Sequence, residues 1–239
     1  MKVFVITMQG SADRRVKLEQ QLSGINFEYF YADNLREESN HFVFSLYNPA
    51  KTKSYKGYEL TIPELGCFAS HLSLWHKCVE LGESVLILED NIIVSEELPQ
   101  HIDMVREFSD KFGILKLCNL FESDYKVFES IDEKYSVISH LTKPGLGTQG
   151  YAISPRVAQA YLDKAPGFFE PVDNFMEHEW RTRQTVYSVI PNLVNRAPVA
   201  STIGRRKVKD GASLWTKVMP ELYRVYVKFR RAIYNKRYK

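Results

Sequence analysis

Three side chains with oxygen donors, Glu89-Asp90-Asn91, follow directly on the apolar run Ser84 to Leu88. Such a run has the pattern of a strand buried on both faces of a parallel sheet. Open α/β sheets bind ligands beyond the carboxyl ends of their strands, which is where this cluster falls. Carboxylates there suit magnesium or manganese, which sit on one or two carboxylates plus substrate phosphates and neutralise a departing diphosphate. An acidic turn that merely closes a strand has the same composition.

Other groupings leave similar alternatives. In Pro171-Val172-Asp173-Asn174-Phe175-Met176, Asp173 stands beside a proline turn, as a general base or as the cap of a short helix. Glu64, Cys67, His71 and Trp75 recur at helical spacing and form one stripe; Cys67 and His71 read as a zinc pair or, with more weight, as packing at the core rim. Gly145 to Gly150 matches GxGxxG, but Tyr151-Ala152-Ile153 is extended where a dinucleotide site needs a helix, so a turn or a sugar-approach loop fits better. Arg14-Arg15 suits phosphate binding or ordinary surface charge.

These residues need elements to hold them. Val3 to Ile6 reads as a strand and Ser11 to Gly24 as an exposed helix. Asn26 to Tyr31 has strand composition, and Asn34 to Gly57 reads as a long polar loop or small insertion. Thr61 and Glu64 form a capping box with Pro63 in the first turn, so a helix is predicted up to Gly82. Phe112 to Cys118, Tyr135 to Leu141 and Thr185 to Ile190 read as strands, and Ser154-Pro155 opens a helix through Ala165. The alternation predicts an α/β fold with a mainly parallel central sheet and helices on both faces.

The length of 239 residues suits one domain, and 44% hydrophobic with 26% charged residues excludes a disordered or collagen-like chain. Three cysteines without CxxC spacing indicate neither a disulfide framework nor structural zinc. The start lacks a signal-peptide pattern and no apolar run is long enough to span a bilayer, so a cytoplasmic protein is expected. Net charge is +3, yet Tyr223 to Lys239 holds seven basic residues and no acidic one, leaving the rest at about −4. We therefore divide the chain into a domain, 1–220, and a basic aromatic tail, 221–239, whose helical spacing suits an anionic membrane surface or a groove on the core. A mildly acidic body argues against nucleic acid as a partner.

Taken together, VFVIT…RR, LTIPELGCFASHLSLW, VLILEDN, GTQGYAIS, PVDNFM and the late VIPNLV resemble glycosyltransferase family 25, the lipopolysaccharide and lipooligosaccharide biosynthesis proteins. The resemblance implies a GT-A type nucleotide-binding fold, a UDP-hexose donor (galactose before glucose), a divalent cation, and inversion at the anomeric carbon. It implies a glycolipid acceptor, met at the inner membrane by a peripheral enzyme. Glu89, Asp90 and Asn91 fall on the family's Glu-Asp-Asp metal motif, with Asn91 one charge short. Asp173 falls on its Val-Asp motif and is the candidate base. Thr7, Arg14, Arg15, Asp33, Glu64, Ser70, His71, Gly147, Thr148, Gln149, Gly150 and Tyr151 are the implied donor or acceptor contacts. A phosphotransferase or nucleotidyltransferase using the same acidic cluster is the rival enzyme, and a sugar- or nucleic-acid-binding module the rival without catalysis.

Overall fold

A computed structural model describes residues 1–36, 38, 40–198 and 214–236, with side chains in 214–217 left aside. The N-terminal part runs β1 (Lys2–Thr7), α1 (Ala12–Gln21), β2 (Glu28–Tyr31), α2 (Val43–Leu46), α3 (Pro49–Lys56), α4 (Ile62–Leu81) and β3 (Val85–Glu89). The middle runs β4 (Ile92–Val94), α5 (Leu98–Phe112), β5 (Ile114–Lys116), β6 (Tyr125–Ser130), β7 (Ser136–His140), β8 (Gly150–Ile153) and α6 (Pro155–Lys164). The chain then continues through α7 (Val172–Met176), α8 (Glu179–Thr182), β9 (Tyr187–Ile190), β10 (Val194–Arg196) and α9 (Leu214–Asn235).

Eight strands form one sheet in the order β2-β1-β3-β8-β5-β9-β7-β6. Pairing is parallel across β2-β1-β3 and between β5 and β9, and antiparallel where β8, β7 and β6 enter. A second, two-stranded sheet joins β4 to β10. Side chains alternate between two cores, as the pleat requires. Phe4, Val85, Ile87 and Ile114 enter the core under α4 and α6, while Val3, Val5, Leu86, Leu88 and Leu115 enter the one that α1 and α5 close. Helices thus cover both faces, and the expected α/β architecture is the one observed.

The capping box on α4 forms as its sequence dictates: Glu64 N–H donates to Thr61 Oγ1, Thr61 N–H donates to Glu64 Oε2 at 2.8 Å, and Gly82 ends the helix at φ 65°. The stretch 34–57, read as a loop, instead carries α2 and α3. Asn48 caps α3 by accepting from Lys51 N–H at 3.0 Å, Pro49 opens it, and Gly57 closes it at φ 77°. Proline and glycine here mark helix ends rather than a loop. Pro220, set as a boundary in the sequence, lies inside α9. Arg237, Tyr238 and Lys239 of the tail lie outside the described residues. Among the described residues no helix is long and apolar enough to cross a membrane.

Candidate active site

Ile6 of β1 lies opposite Glu89 of β3, so Thr7 and Asp90 leave the sheet side by side. Thr7 Oγ1 donates to Asp90 Oδ2 at 2.7 Å, and Arg14, from the first turn of α1, donates through Nη1 to Asp90 Oδ1 at 3.1 Å. Beyond them opens a cavity of about 560 Å³, whose wall includes Thr7, Arg14, Asp33, Ser70, His71 and the Glu89-Asp90-Asn91 cluster. Asp33 enters on the loop after β2 and bonds His41 Nε2 through Oδ2 at 3.0 Å. That loop packs on Gly66 of α4 at a spacing that would leave a Cβ there in ordinary contact, 3.7 Å from Leu35 and 3.8 Å from Asp33 O.

Arg15 does not face the cavity. Its guanidinium donates to Met8 O at 2.7 Å and Gln9 O at 3.1 Å and lies over the Tyr31 ring, fastening the loop between β1 and α1. Glu64 is buried in its capping box and is likewise not part of this wall.

Glu89 is held from the other side. Thr148 Oγ1 donates to its Oε1, and His71 Nε2 stands 3.7 Å from the same oxygen. Burial alone would raise the Glu89 carboxyl, but His71, Thr148 and Asn91 outweigh it and keep the group below the usual carboxylate range. Behind His71 runs a buried chain: Trp75 Nε1–H donates to Tyr151 Oη at 2.9 Å, and Tyr151 Oη meets His71 Nδ1 at 2.8 Å. Indole N–H is only a donor, so the phenolic proton has His71 Nδ1 as its acceptor. In the neutral ring the remaining proton then sits on Nε2, facing Glu89. Ligand atoms of Cys67, His71 and Glu89 lie within 4.8 Å of one another. The trio offers one thiol, one imidazole and one carboxylate, and burial pushes the Cys67 thiol well up, so in the unliganded protein it packs as a neutral side chain.

The glycine loop positions Thr148. Leu146 and Gly147 both take positive φ, 48° and 77°, and a Cβ on Gly147 would collide with Gln149 Oε1 and Leu120. The loop enters β8, not a helix, so the dinucleotide alternative has no support here. Gln149 O accepts from Glu89 N–H at 3.0 Å, and Gly150 and Tyr151 continue into the sheet beside β3.

Asp173 occupies the second position of α7, and Pro171 takes the N-cap place, so the capping alternative is not realised. Its Oδ1 accepts from Asn174 N–H at 2.7 Å. Burial raises the Asp173 carboxyl above its usual range, against the pull of Asn174 N–H and Lys116. Lys116 and Glu177 were not legible as site residues: Lys116 Nζ, buried in β5, donates to Glu177 Oε1 and to Leu146 O, each at 2.6 Å. The signal was a lone cation inside the apolar run Ile114 to Cys118.

For a divalent cation the fit is favourable at Asp90 and Asn91. Asn91 Oδ1 is buried with no hydrogen-bond partner, and it adjoins a carboxylate that Thr7 and Arg14 orient without using every lone pair. Two hard oxygen donors match magnesium or manganese.

Residues 1–176 match the family model described as Glycosyltransferase family 25 (LPS biosynthesis protein). A Glycosyltransferase 25 family member of Aedes aegypti is 28% identical over 184 residues, covering 73% of this chain and 30% of the relative. One from Drosophila melanogaster is 27% identical over 184 residues, with the same 73% and 30% coverage. Procollagen galactosyltransferase 2 of Mus musculus is 24% identical over 208 residues, covering 83% of this chain and 31% of the relative. The chain thus spans about 30% of the length of these curated relatives. The matched segment contains the acidic cluster, the glycine loop and Asp173; α9 lies beyond it.

Proposed function

The chain belongs to glycosyltransferase family 25, and from that premise we propose that it transfers a hexose, galactose before glucose, from a UDP-sugar to a lipopolysaccharide or lipooligosaccharide acceptor at the cytoplasmic face of a membrane. The observation that carries this reading is Asp90, fixed at the end of β3 by Thr7 and Arg14, with the orphaned Asn91 oxygen beside it in a cavity of about 560 Å³. A galactosyl donor is favoured because procollagen galactosyltransferases are among the relatives.

In this mechanism Asp90 and Asn91 would hold manganese or magnesium, which when bound would supply positive charge to the departing diphosphate. Arg14 adds a second cation at the same place. His71 and Thr148 hold Glu89 ionised, so the cavity keeps the negative charge that attracts the cation. Asp173 takes the proton of the acceptor hydroxyl, whose oxygen attacks the anomeric carbon as the bond to UDP breaks. Attack opposite the leaving group inverts that carbon. A raised carboxyl suits a general base, because its ionised form binds the proton more tightly.

The outer face of α9 supports the membrane part of the reading. Leu222, Val225, Tyr226, Phe229 and Ile233 are exposed on it, with Lys236 exposed on the same side. A helix that turns apolar residues outward beside a basic one suits anionic head groups.

Asp90→Ala is expected to lower UDP-galactose transfer by about two to three orders of magnitude, the scale of one preorganised electrostatic group. Asn91→Asp should retain or raise it. Release of UDP with a glycosylated product separates the transferase from a phospho- or nucleotidyltransferase. Metal-independent, wild-type turnover by Asp90→Ala would sink the assignment.

A further inference from the structure

A second cavity, of about 880 Å³, opens between α3, the segment 141–146 and the inner face of α9. Its wall carries five basic side chains, Lys56, Lys143, Arg224, Lys228 and Arg231, against the carboxylates of Asp124 and Glu177. Three of these cations are matched: Lys56 by Glu170 at 2.9 Å, Arg231 by Glu179 at 3.3 Å and Glu177 at 3.8 Å, and Arg224 by Glu221. Lys143 and Lys228 make no ion pair among the described residues, and both are exposed to the opening. Tyr55, Tyr58 and Tyr223 add ring surface of the kind that sugar rings stack on.

Two short stretches of chain link the wall of one cavity to that of the other. Leu146 lines the second, and Thr148, two residues on, holds Glu89 in the first. Asn174 lines the second, and Asp173 precedes it on α7, whose Phe175 ring packs 5.3 Å from that of Phe68 on α4, the helix that gives Cys67 and Ser70 to the first.

We propose that the second cavity is the acceptor site and that it takes an anionic saccharide, a sugar chain bearing phosphate or carboxylate groups, held by Lys143 and Lys228. The inference rests on the transferase reading and names the acceptor's chemistry. Compact, hydrated lysine ammonium groups serve as point-charge partners for such groups. One helix then serves both parts of a lipid-linked acceptor: α9 lines the sugar site with its inner face and turns its apolar stripe outward.

Calorimetric titration of the full chain with phosphorylated mannopentaose and with mannopentaose itself tests this. The phosphorylated probe is expected to bind at least about tenfold more tightly, a preference that Lys143→Ala/Lys228→Ala removes and Lys143→Arg/Lys228→Arg restores in part. UDP affinity in the presence of manganese, measured on the same proteins, reads the first cavity separately. Equal affinity for the two probes, no binding of either, or a phosphate preference that survives the double alanine variant would overturn the proposal. A wild-type protein that prefers the phosphorylated probe but binds no UDP would overturn the transferase reading instead.

Discussion

The two cavities are built by different means. The first stands on the ends of β1 and β3, where the sheet's backbone register sets Thr7 beside Asp90 before any side chain acts. The second is assembled from helices and a loop, and its walls are braced by charges buried against one another. Lys116 meets Glu177 at 2.6 Å, Arg231 spans Glu177 and Glu179, and Lys56, His178 and Arg181 surround Glu170. A sheet positions its ligands through backbone hydrogen bonds, whereas packed helices are free to slide unless side chains lock them. Buried ion pairs do that locking at a desolvation cost, so removing one member leaves an uncompensated charge. The first site should therefore tolerate side-chain changes structurally while losing function, and the second should lose stability.

Asp173, next to Asn174 of the second cavity's wall, offers the sharpest break. Asp173→Asn is expected to cut transfer by about 10²- to 10⁴-fold, the usual contribution of a general base. Because its carboxyl is raised, the acid limb of kcat/KM should lie above the ordinary carboxylate range, with rate lost as pH falls through it. Stability runs the other way. A carboxyl with a raised folded pKa lends stability below its unfolded value and loses it as pH rises through the folded one. At neutral pH the ionised group is thus a burden, and the Asn variant should melt no lower than the native protein. Native turnover, or a variant that unfolds, would remove Asp173 from this role.

A brace of the second cavity comes next. Arg231→Ala strips one cation from Glu177 and Glu179 and should cost about 3 kcal/mol in urea denaturation, the lower end for a broken buried pair because Lys116 remains on Glu177. Burial would raise Glu177, but Lys116 and Arg231 hold it below the usual range, so its stabilisation is present above the unfolded value and fades as pH falls through the folded one. UDP binding should change little. A stability loss under 1 kcal/mol would mean that helix packing, not charge, holds this wall.

The smallest expected effect on stability is at the outer face of α9. Leu222 and Phe229 are 54% and 62% exposed, so Leu222→Ser/Phe229→Ser should shift stability by no more than about 0.5 kcal/mol each. Binding to vesicles containing anionic lipid should nevertheless fall several-fold, and added salt should weaken it in the native protein. Substitution is the suitable probe, because Tyr223, Arg231 and Asn235 on the inner face are buried and cutting the chain at Pro220 would remove them too. Unchanged vesicle binding would refute the docking role.

Much of the frame was legible in residues whose meaning is local. Thr61, Glu64 and Gly82 bounded α4, the unbroken apolar run marked β3, and Ser154-Pro155 opened α6, since caps and periodicity act within a few residues. By the same logic Asn48, Pro49 and Gly57 marked α3, although their polar setting read as a loop. Helix α5 went unread although Ile102, Val105, Phe108 and Phe112 recur at helical spacing, β6 because it is a largely exposed edge strand, and β4 and β10 because three-residue strands take their register from partners elsewhere.

The sequence by itself determined that an acidic cluster would end a buried strand and that a glycine loop would run into an extended segment. Only the tertiary structure decided that Arg14 faces Asp90 while Arg15 turns away, that Tyr151 and Trp75 back His71 where it faces Glu89, and that Lys116 meets Glu177. Arg14 and Asp90 stand 76 residues apart, His71 and Tyr151 80, and Lys116 and Glu177 61. Local propensity carries no information over that distance, because which side chains meet is fixed by the order of strands in the sheet and by the faces on which its helices pack.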